Sequence, residues 1–504
     1  MNNSVQRKKG AVLSYLSIII NTIVQITYTP FLIKSLGQSE YGLYSLIYSI
    51  IGYLTILDFG FGNAIIVYTA KYRAENKLEE EKKLHGMFKL IFIIIGIIAG
   101  ILSIILYIYT PTIFGNKMTN LEIEKAKIMM LILGFNLFFT FSFSVYSSII
   151  SAYEKFVFQK IMAIVNTLLK PIIMIPLLLL GFKSISLSIV VTIINVFICL
   201  SNYLYCKKKL NVTTKFLGFD KILFKSIFSY SFFIFLAIIV DKVNYSVDQL
   251  ILGAISGTIM VSIYAVASQL DSLFITLSTA ISSVFLPKMS KMIANKANNS
   301  ELSSEFIKIG RIQYYIIFFM CSCIVLFGKE FIMWWAGKEY ETSYYVAIIL
   351  IIPGCIPLIQ NLGLSIMQAM NKYKFKAITS FSMTIVNIFI SIILGRKYGA
   401  VGCAIGTAFA LIVCNIILMN IYYSKNIGLN IKKFWLNIFR MTIPMIIPII
   451  IIYIIKNFIV LYGIKSVIIY GSIYTILYCV VNYLFNINSY EKNLIKQFFL
   501  RKNN

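Results

Sequence analysis

Charge is what this chain has least of. Over 504 residues, 13% are Asp, Glu, Lys or Arg, about half the roughly 25% of ordinary soluble chains. With 59% hydrophobic residues and a mean hydropathy of +0.84, too little polar surface remains to coat a water-soluble globule. A bilayer has to act as solvent for most of the chain. Histidine is nearly absent: His85 stands alone, in an expected loop beside Lys82 and Lys83. With no second histidine and no clustered thiols, no transition-metal site is expected. The eight cysteines, at 199, 206, 321, 323, 355, 403, 414 and 479, sit in or beside apolar stretches and form no CxxC pair. They read as small core fillers, which excludes a disulfide framework. Long polar stretches are also missing. The longest connections, near 71–86, 207–225 and 287–308, are too short for an independent soluble domain.

What is present is apolar length. Segments able to cross a hydrocarbon core of about 30 Å, about 20 residues each, fall near 11–33, 41–69, 87–110, 128–150, 157–180 and 185–206. Six more lie near 226–254, 259–286, 309–335, 343–370, 376–395 and 400–423, and the last two near 434–455 and 466–486. The sequence therefore predicts an all-α polytopic membrane protein of about fourteen spans. Pro30, Pro171, Pro176, Pro353, Pro357, Pro444 and Pro448 interrupt several of them, and such helices are tolerated where they pack internally or line a cavity. The basic start, Arg7-Lys8-Lys9, leads into the first span without a small-residue cleavage site, so a membrane span is expected there rather than a removable signal peptide.

A net charge of +27 raises the question of nucleic acid. The basic residues stand in short runs between apolar stretches, and no basic domain collects them, so membrane-flanking anchors are expected and a nucleic-acid partner is not. With the N-terminus placed in the cytoplasm, 33 Lys and Arg fall on inward connections and 11 on outward ones, with Lys170 and Lys242 inside spans. That bias follows the positive-inside rule and supports an even helix count with both termini cytoplasmic.

The chain also repeats itself. Gly37-x4-Gly42-x-Tyr44 opens the second span, and Gly257-x4-Ser262-x-Tyr264 opens the eighth, 220 residues later. Ala152-Tyr-Glu-Lys155-Phe156-Val-Phe158 returns as Ala369-Met-Asn-Lys372-Tyr373-Lys-Phe375 after 217, and Leu180-Gly181-x-Lys183 as Leu394-Gly395-x-Lys397 after 214. A near-constant offset predicts an N-lobe (1–215, spans one to six), a C-lobe (216–430, spans seven to twelve) and a two-span appendage with a tail (431–504). Parallel repeats of this kind place a substrate site between the halves.

Polar residues inside spans are the candidates for that site, because each buried charge costs about 2.5–3.5 kcal/mol on insertion scales. Asp241, Asn244, Tyr245 and Asp248 in the seventh span are spaced i, i+3, i+4, i+7 and share one helix face. Asp241 and its neighbour Lys242 point about 100° apart. Either this stripe lines a cavity and couples an ion, or its aspartates brace a neighbouring helix end. Lys170 precedes Pro171 in the fifth span, where it meets an anionic phosphate or snorkels to an interface. Asp271, near Gln269 and Ser272, is a similar case. Asp58 stands in Leu57-Asp58-Phe59-Gly60-Phe61-Gly62-Asn63, either as a cavity group or as the brace of a bend that the glycines allow. Asn21 and Gln25 share a face of the first span. No cofactor is expected.

Several of these features resemble the polysaccharide-biosynthesis flippases of the multidrug/oligosaccharidyl-lipid/polysaccharide exporter (MOP) superfamily. They are Thr29-Pro30-Phe31-Leu32 before Gly37-x3-Tyr41-Gly42-x-Tyr44, Leu57-Asp58-Phe59-Gly60, Val247-Asp248-Gln249-Leu250-Ile251-Leu252-Gly253, Ser262-x-Tyr264-x2-Ala267, and Phe285-Leu286-Pro287-Lys288-Met289-Ser290. The resemblance implies a transporter of the bacterial plasma (inner) membrane. It implies two six-helix, MATE-like lobes working by alternating access, with H+ or Na+ as coupling ion. The implied partners are an undecaprenyl-diphosphate-linked oligosaccharide moved to the outer leaflet for O-antigen or capsule, the lipid bilayer, and the polysaccharide polymerase and assembly machinery. The family cavity is often cationic, whereas these repeats hold few interior cations, chiefly Lys170 and Lys242. Rival readings are a MATE-like small-molecule antiporter, kept open by Asp58, Asp241, Asp248 and Asp271, a lipid II flippase, and a membrane glycan polymerase. The last would carry a large outer loop or domain, and the outward connections here are short.

Overall fold

The computed structural model describes residues 3–295, 297–370, 372–459 and 463–493. Among them there are helices and no strands, as a chain dissolved in lipid requires: each backbone N–H and C=O must be paired inside its own segment. The long helices are α1 (Asn3–Leu36), α2 (Gln38–Leu54), α3 (Phe61–Ala74), α4 (Leu78–Phe114), α5 (Asn120–Ala152), α6 (Phe156–Leu179), α7 (Ser184–Lys209) and α8 (Lys221–Ile255). They continue as α9 (Thr258–Ala294), α10 (Asn299–Trp335), α11 (Glu341–Ile359), the short α12 (Asn361–Ala369) and α13 (Lys374–Leu411). After α13 come the one-turn α14 (Met419–Tyr422), then α15 (Ile431–Phe458) and α16 (Gly463–Val481).

Among the described residues, 12 helical stretches are long and apolar enough to cross a membrane. One of them, Lys374–Ile427, has 54 residues. At 1.5 Å per residue it is about 80 Å long, more than twice a hydrocarbon core of about 30 Å. Gly399, at φ 58 and ψ −134, breaks it into two spanning lengths. The 35-residue α8 brings the number to the fourteen or so expected from hydropathy.

The chain is broken at places the prolines do not mark. Pro30, Pro171, Pro176, Pro353, Pro357, Pro444 and Pro448 all lie inside continuous helices. The second span is instead interrupted between α2 and α3, where Thr55–Asp58 form a 3-10 turn followed by Phe59 (φ 51) and Gly60 (φ 72) in the left-handed region.

Two expected loops are largely helix. His85, placed by sequence in a loop, is fully buried in the second turn of α4, with its Nε2 2.9 Å from Thr69 Oγ1. The physical reason is charge pattern. Glu79, Glu80 and Glu81 occupy the first turn of α4, where they suit the positive end of the helix dipole, and Lys82 pairs with Glu79 one turn away. A charged, hydrated stretch is thus a helix projecting beyond the membrane. The 287–308 connection shrinks in the same way, because Asn298 and Glu301 form a reciprocal capping box that starts α10 at Asn299.

The chain packs as two compact units. The first comprises Met1–Ala265 and Thr384–Cys403, the second Val266–Met383 and Ala404–Asn504. In the first, α5 packs on α4 and α7, α1 on α6, and α2 on α8. In the second, α10 packs on α11, α15 and α16. One core of the second unit centres on Phe306, Tyr423 and Phe434, another on Met445, Tyr470 and Tyr474. The lipid-facing character is plain on α4, where Ile94, Ile97, Ile101, Ile104 and Ile108 are all exposed. Such an aliphatic stripe is stable only in hydrocarbon.

Candidate functional site

In the first unit, polar groups gather at two levels. The first is the start of the spanning helices. Thr119 and Glu122 form a capping box on α5, and Glu122 also accepts from Ser39 Oγ (2.6 Å) and Thr258 Oγ1 (2.7 Å). One turn along, Lys125 pairs with Glu40, which accepts from both the backbone and the hydroxyl of Ser184. Two carboxylates therefore tie the starts of α2, α5, α7 and α9 together. The approach is close because Gly42 has no side chain: a Cβ there would lie 1.9 Å from the Thr258 carbonyl oxygen and 3.2 Å from Ser262 Cβ. The two repeated motifs, Gly37-to-Tyr44 and Gly257-to-Tyr264, thus meet face to face.

The second level lies deeper. Asp248 on α8 is 1% exposed and accepts a hydrogen bond from the Tyr264 hydroxyl. Tyr53 and Cys403 are within electrostatic reach of it. Next to Asp248, Gln249 accepts from Ser49 Oγ and joins α8 to α2. In the same unit, Ser391 Oγ donates to Asn387 Oδ1 (3.0 Å), and both are fully buried. A carboxylate so enclosed depends on its donors to offset the lost hydration, and the Tyr264 hydroxyl is one of them.

The structure distributes the sequence-predicted residues as follows. Asp248 belongs to this deeper cluster, while the side chains of Asp241, Asn244 and Tyr245 lie outside the described residues. Lys242, on the same helix, reaches α2: its Nζ lies 4.0 Å from where a side chain on Gly52 would begin. Asp58 closes the bend between α2 and α3, accepting from the Gly60 backbone N–H. Phe59 and Phe61 beside it enter a cluster with Phe88, Phe224, Phe228 and Phe235. Lys170 is half-buried on α6, with no ion pair among the described residues. On α1, Asn21 is exposed and Gln25 half-buried.

Asp271 lies in the second unit, apart from the others. It is half-buried, and a Cβ on Gly354 would sit 3.7 Å from its Oδ1, so it faces α11 between Pro353 and Pro357. Near this point α11 gives way to α12, and side chains take over the loose backbone: Ser278 Oγ donates to the Leu358 carbonyl (2.9 Å), and Asn361 Nδ2 to Ser282 Oγ (3.0 Å). Gln360 and Trp435 both donate to Asn420 Oδ1, at 2.8 and 2.9 Å.

Sequence reasoning passed over Glu40, Glu122, Ser184 and Thr258. For Glu122 a signal was present, since Thr119-x-x-Glu122 is a capping-box spacing. For the other three there was none, because their role depends on which helix ends meet. All eight cysteines are free thiols.

These observations describe a membrane-embedded helical bundle with polar groups at its helix starts and interior. It is similar in fold to the lipid II flippase MurJ in an inward closed conformation, with a TM-score of 0.74 and 18% identity over 96% of this chain and 99% of that one. It is also similar to an inward-facing MATE family multidrug resistance transporter of the MOP superfamily, with a TM-score of 0.60 and 14% identity over 79% and 96% of the two chains. By sequence it is 21% identical over 424 residues to a Shigella flexneri protein to which O-antigen transport is ascribed, covering 82% of this chain and 97% of that one. The chain is a multi-pass membrane transporter and not an enzyme. The family model described as Polysaccharide biosynthesis protein matches residues 8–293, more than half of the length, and the chain belongs to that family.

Proposed function

We propose that this transporter is a flippase for undecaprenyl-diphosphate-linked oligosaccharide repeat units, carrying them from the cytoplasmic to the outer leaflet for O-antigen or capsule synthesis. The observation that carries this is the match to the polysaccharide biosynthesis family together with an alignment that spans 82% of this chain and 97% of a relative to which O-antigen transport is ascribed. The physics agrees. A sugar-diphosphate head cannot cross hydrocarbon unaided, because an ion moved into a low-dielectric medium loses its hydration. A polar path through a helical bundle offsets that cost while the polyprenyl tail stays in lipid.

In this proposal the protein sits in the bacterial plasma membrane with both termini in the cytoplasm, which the charge bias of the connections supports. The repeat halves, 1–215 and 216–430, rock in alternating access. The Asp248–Tyr264 pair supplies the group through which H+ or Na+ drives turnover, and assembly machinery receives the product. A lipid II flippase differs in cargo alone, and its support is the fold similarity to MurJ.

The test is deletion of the gene followed by lipid analysis. A flippase predicts lipid-linked repeat units accumulating on the cytoplasmic face. Units that reach the outer leaflet but stay unpolymerised point to a polymerase. Loss of viability with normal surface glycan points to lipid II. Within the protein, Asp248→Asn is expected to lower transport at least about tenfold, by removing a charge that stays buried at a cost of several kcal/mol. Lys170→Gln and Asp271→Asn are each expected to lower it by less. Transport in proteoliposomes, normalised to protein level, measures all three, and unchanged transport in all of them removes these site assignments.

A further inference from the structure

Helix α2 has an open strip that the site described above does not use. Its residues Tyr41, Gly42, Leu43, Leu46, Ile47, Ser49, Ile50 and Ile51 are buried, and the helix packs on α1, α5, α7 and α8. Less buried is the line Tyr44, Tyr48 and Gly52, four residues apart and so on one face, with Tyr48 exposed and the other two half-buried. Tyr48 is the most open residue of the helix, at 51% exposure. The two tyrosine rings stack, with centroids 5.8 Å apart and planes 28° from parallel. One turn further, the Lys242 ammonium lies 4.0 Å from where a side chain on Gly52 would begin.

This strip is chemically unlike the lipid-facing surface of the same unit. On α4 the exposed stripe is mainly isoleucine, with Tyr109 near its end; on α2 a stacked tyrosine pair is followed by a lysine from a neighbouring helix. A lysine within a span is stable where water or a polar ligand reaches it, and not against acyl chains. The repeat makes the same point. Tyr264, the counterpart of Tyr44, is 3% exposed and bonded to Asp248, whereas the Tyr44 hydroxyl has no hydrogen-bond partner among the described residues. The motif's tyrosine is buried and bonded in one copy and half-buried in the other.

We propose that Tyr44 and Tyr48 form a stacking platform for the sugar nearest the diphosphate, with Lys242 one turn away holding the diphosphate itself. Pyranose rings present a face of C–H bonds that lies flat on an aromatic ring, and the lysine gives the anionic end a charge partner. A step of one helical turn, about 6 Å, is comparable to the distance from a pyranose ring to the phosphate on its anomeric oxygen. The platform lies wholly within the first unit and rests on the flippase proposal. It deepens that proposal by naming the residues that read the first sugar.

The test uses the full-length protein in nanodiscs and three probes: farnesyl diphosphate, and the same diphosphate carrying one glucose or one N-acetylglucosamine. The wild type is expected to bind at least one sugar-bearing probe about tenfold more tightly than the bare diphosphate, the scale of one good aromatic stack. Tyr48→Ala is expected to erase that preference and leave bare-diphosphate binding unchanged. Tyr48→Phe, which keeps the ring, is expected to retain it. Lys242→Gln is expected to weaken all three probes by a similar factor. If Tyr48→Ala binds with the wild-type preference, or the wild type shows none, the platform is overturned while the flippase proposal stands. If the wild type binds none of the probes, both fall.

Discussion

Replacing Gly42 by leucine is expected to leave little correctly folded protein in the membrane. A Cβ at this position would lie 1.9 Å from the Thr258 carbonyl oxygen and 2.7 Å from its carbon, and backbone atoms at a helix start cannot swing aside as a side-chain tip can. The start of α9 would have to move away from α2 by more than an ångström. That displacement also opens the hydrogen bond from Thr258 to Glu122, leaving a capping carboxylate short of one donor. Overpacking costs about 1–3 kcal/mol and the lost bond to a charged acceptor about 1.5–3 kcal/mol, a sum that reaches the lower end of the net stability of a domain. Thr258→Ala separates the two effects, since it removes one donor without a clash and is expected to lower the melting temperature by a few degrees. Fluorescence-detected size-exclusion of tagged variants measures both. A monodisperse Gly42→Leu peak at wild-type level would show that the two repeated motifs do not meet at this point.

The close contact at Gly42 also shows where sequence reasoning stops. The repeat named Gly42 and Ser262 as equivalent positions, but equivalence under a repeat does not say that two positions touch. The helices themselves were legible because lipid leaves the backbone no alternative to internal pairing, so apolar length alone marks a span. Even the split of Lys374–Ile427 was foreseen, from the polar Arg396-Lys397 turn where Gly399 breaks the helix. The breaks expected at prolines were not found there, because a membrane helix tolerates a proline when its neighbours re-satisfy the freed carbonyl. His85 was misplaced because charge reads as loop, whereas the Glu79-to-Lys82 pattern is what a helix end in water prefers. At the candidate site, the i, i+3, i+4, i+7 spacing on α8 singled out Asp248, which is buried, while the side chains of Asp241, Asn244 and Tyr245 lie outside the described residues. The partner of Asp248 was not legible, since Tyr264 is set opposite it by a helix turn that no spacing rule contains. Glu40 failed to draw attention for the opposite reason: one acidic residue near a span end is common, and its weight comes from Lys125 and Ser184, which the fold alone brings to it.

Breaking the ion pair that docks the last described helical segments is expected to be the other severe lesion. Arg311 on α10 and Glu491 just beyond α16 are joined at 2.7 Å and 3.0 Å through both carboxylate oxygens, with side chains 11% and 7% exposed. The remaining valences are filled. Arg311 donates also to the Asn486 carbonyl, Tyr315 to Glu491, and Asn488 and Glu491 exchange bonds between side chain and backbone. Removing one member strands the other in a desolvated place, which costs about 3–5 kcal/mol. Glu491→Leu is expected to be the worse of the two single changes, because the guanidinium it leaves cannot shed its proton, whereas Arg311→Met leaves a carboxylate that still accepts from Tyr315 and Asn488. The double variant Arg311→Met with Glu491→Leu removes both charges and replaces them by apolar volume, so it is expected to recover most of the lost stability. Thermal unfolding of the four purified proteins closes the cycle, and the coupling energy separates two accounts of the pair. If the double variant is as damaged as the singles added together, Arg311 and Glu491 act on independent partners and the docking of this segment rests on the apolar contacts of Tyr474 and Tyr478 with α10. If it melts close to the wild type, the ions fix the segment's register on α10 rather than supply its affinity, and the flat aromatic faces of Phe319 and Tyr474 hold it in place once that register is set.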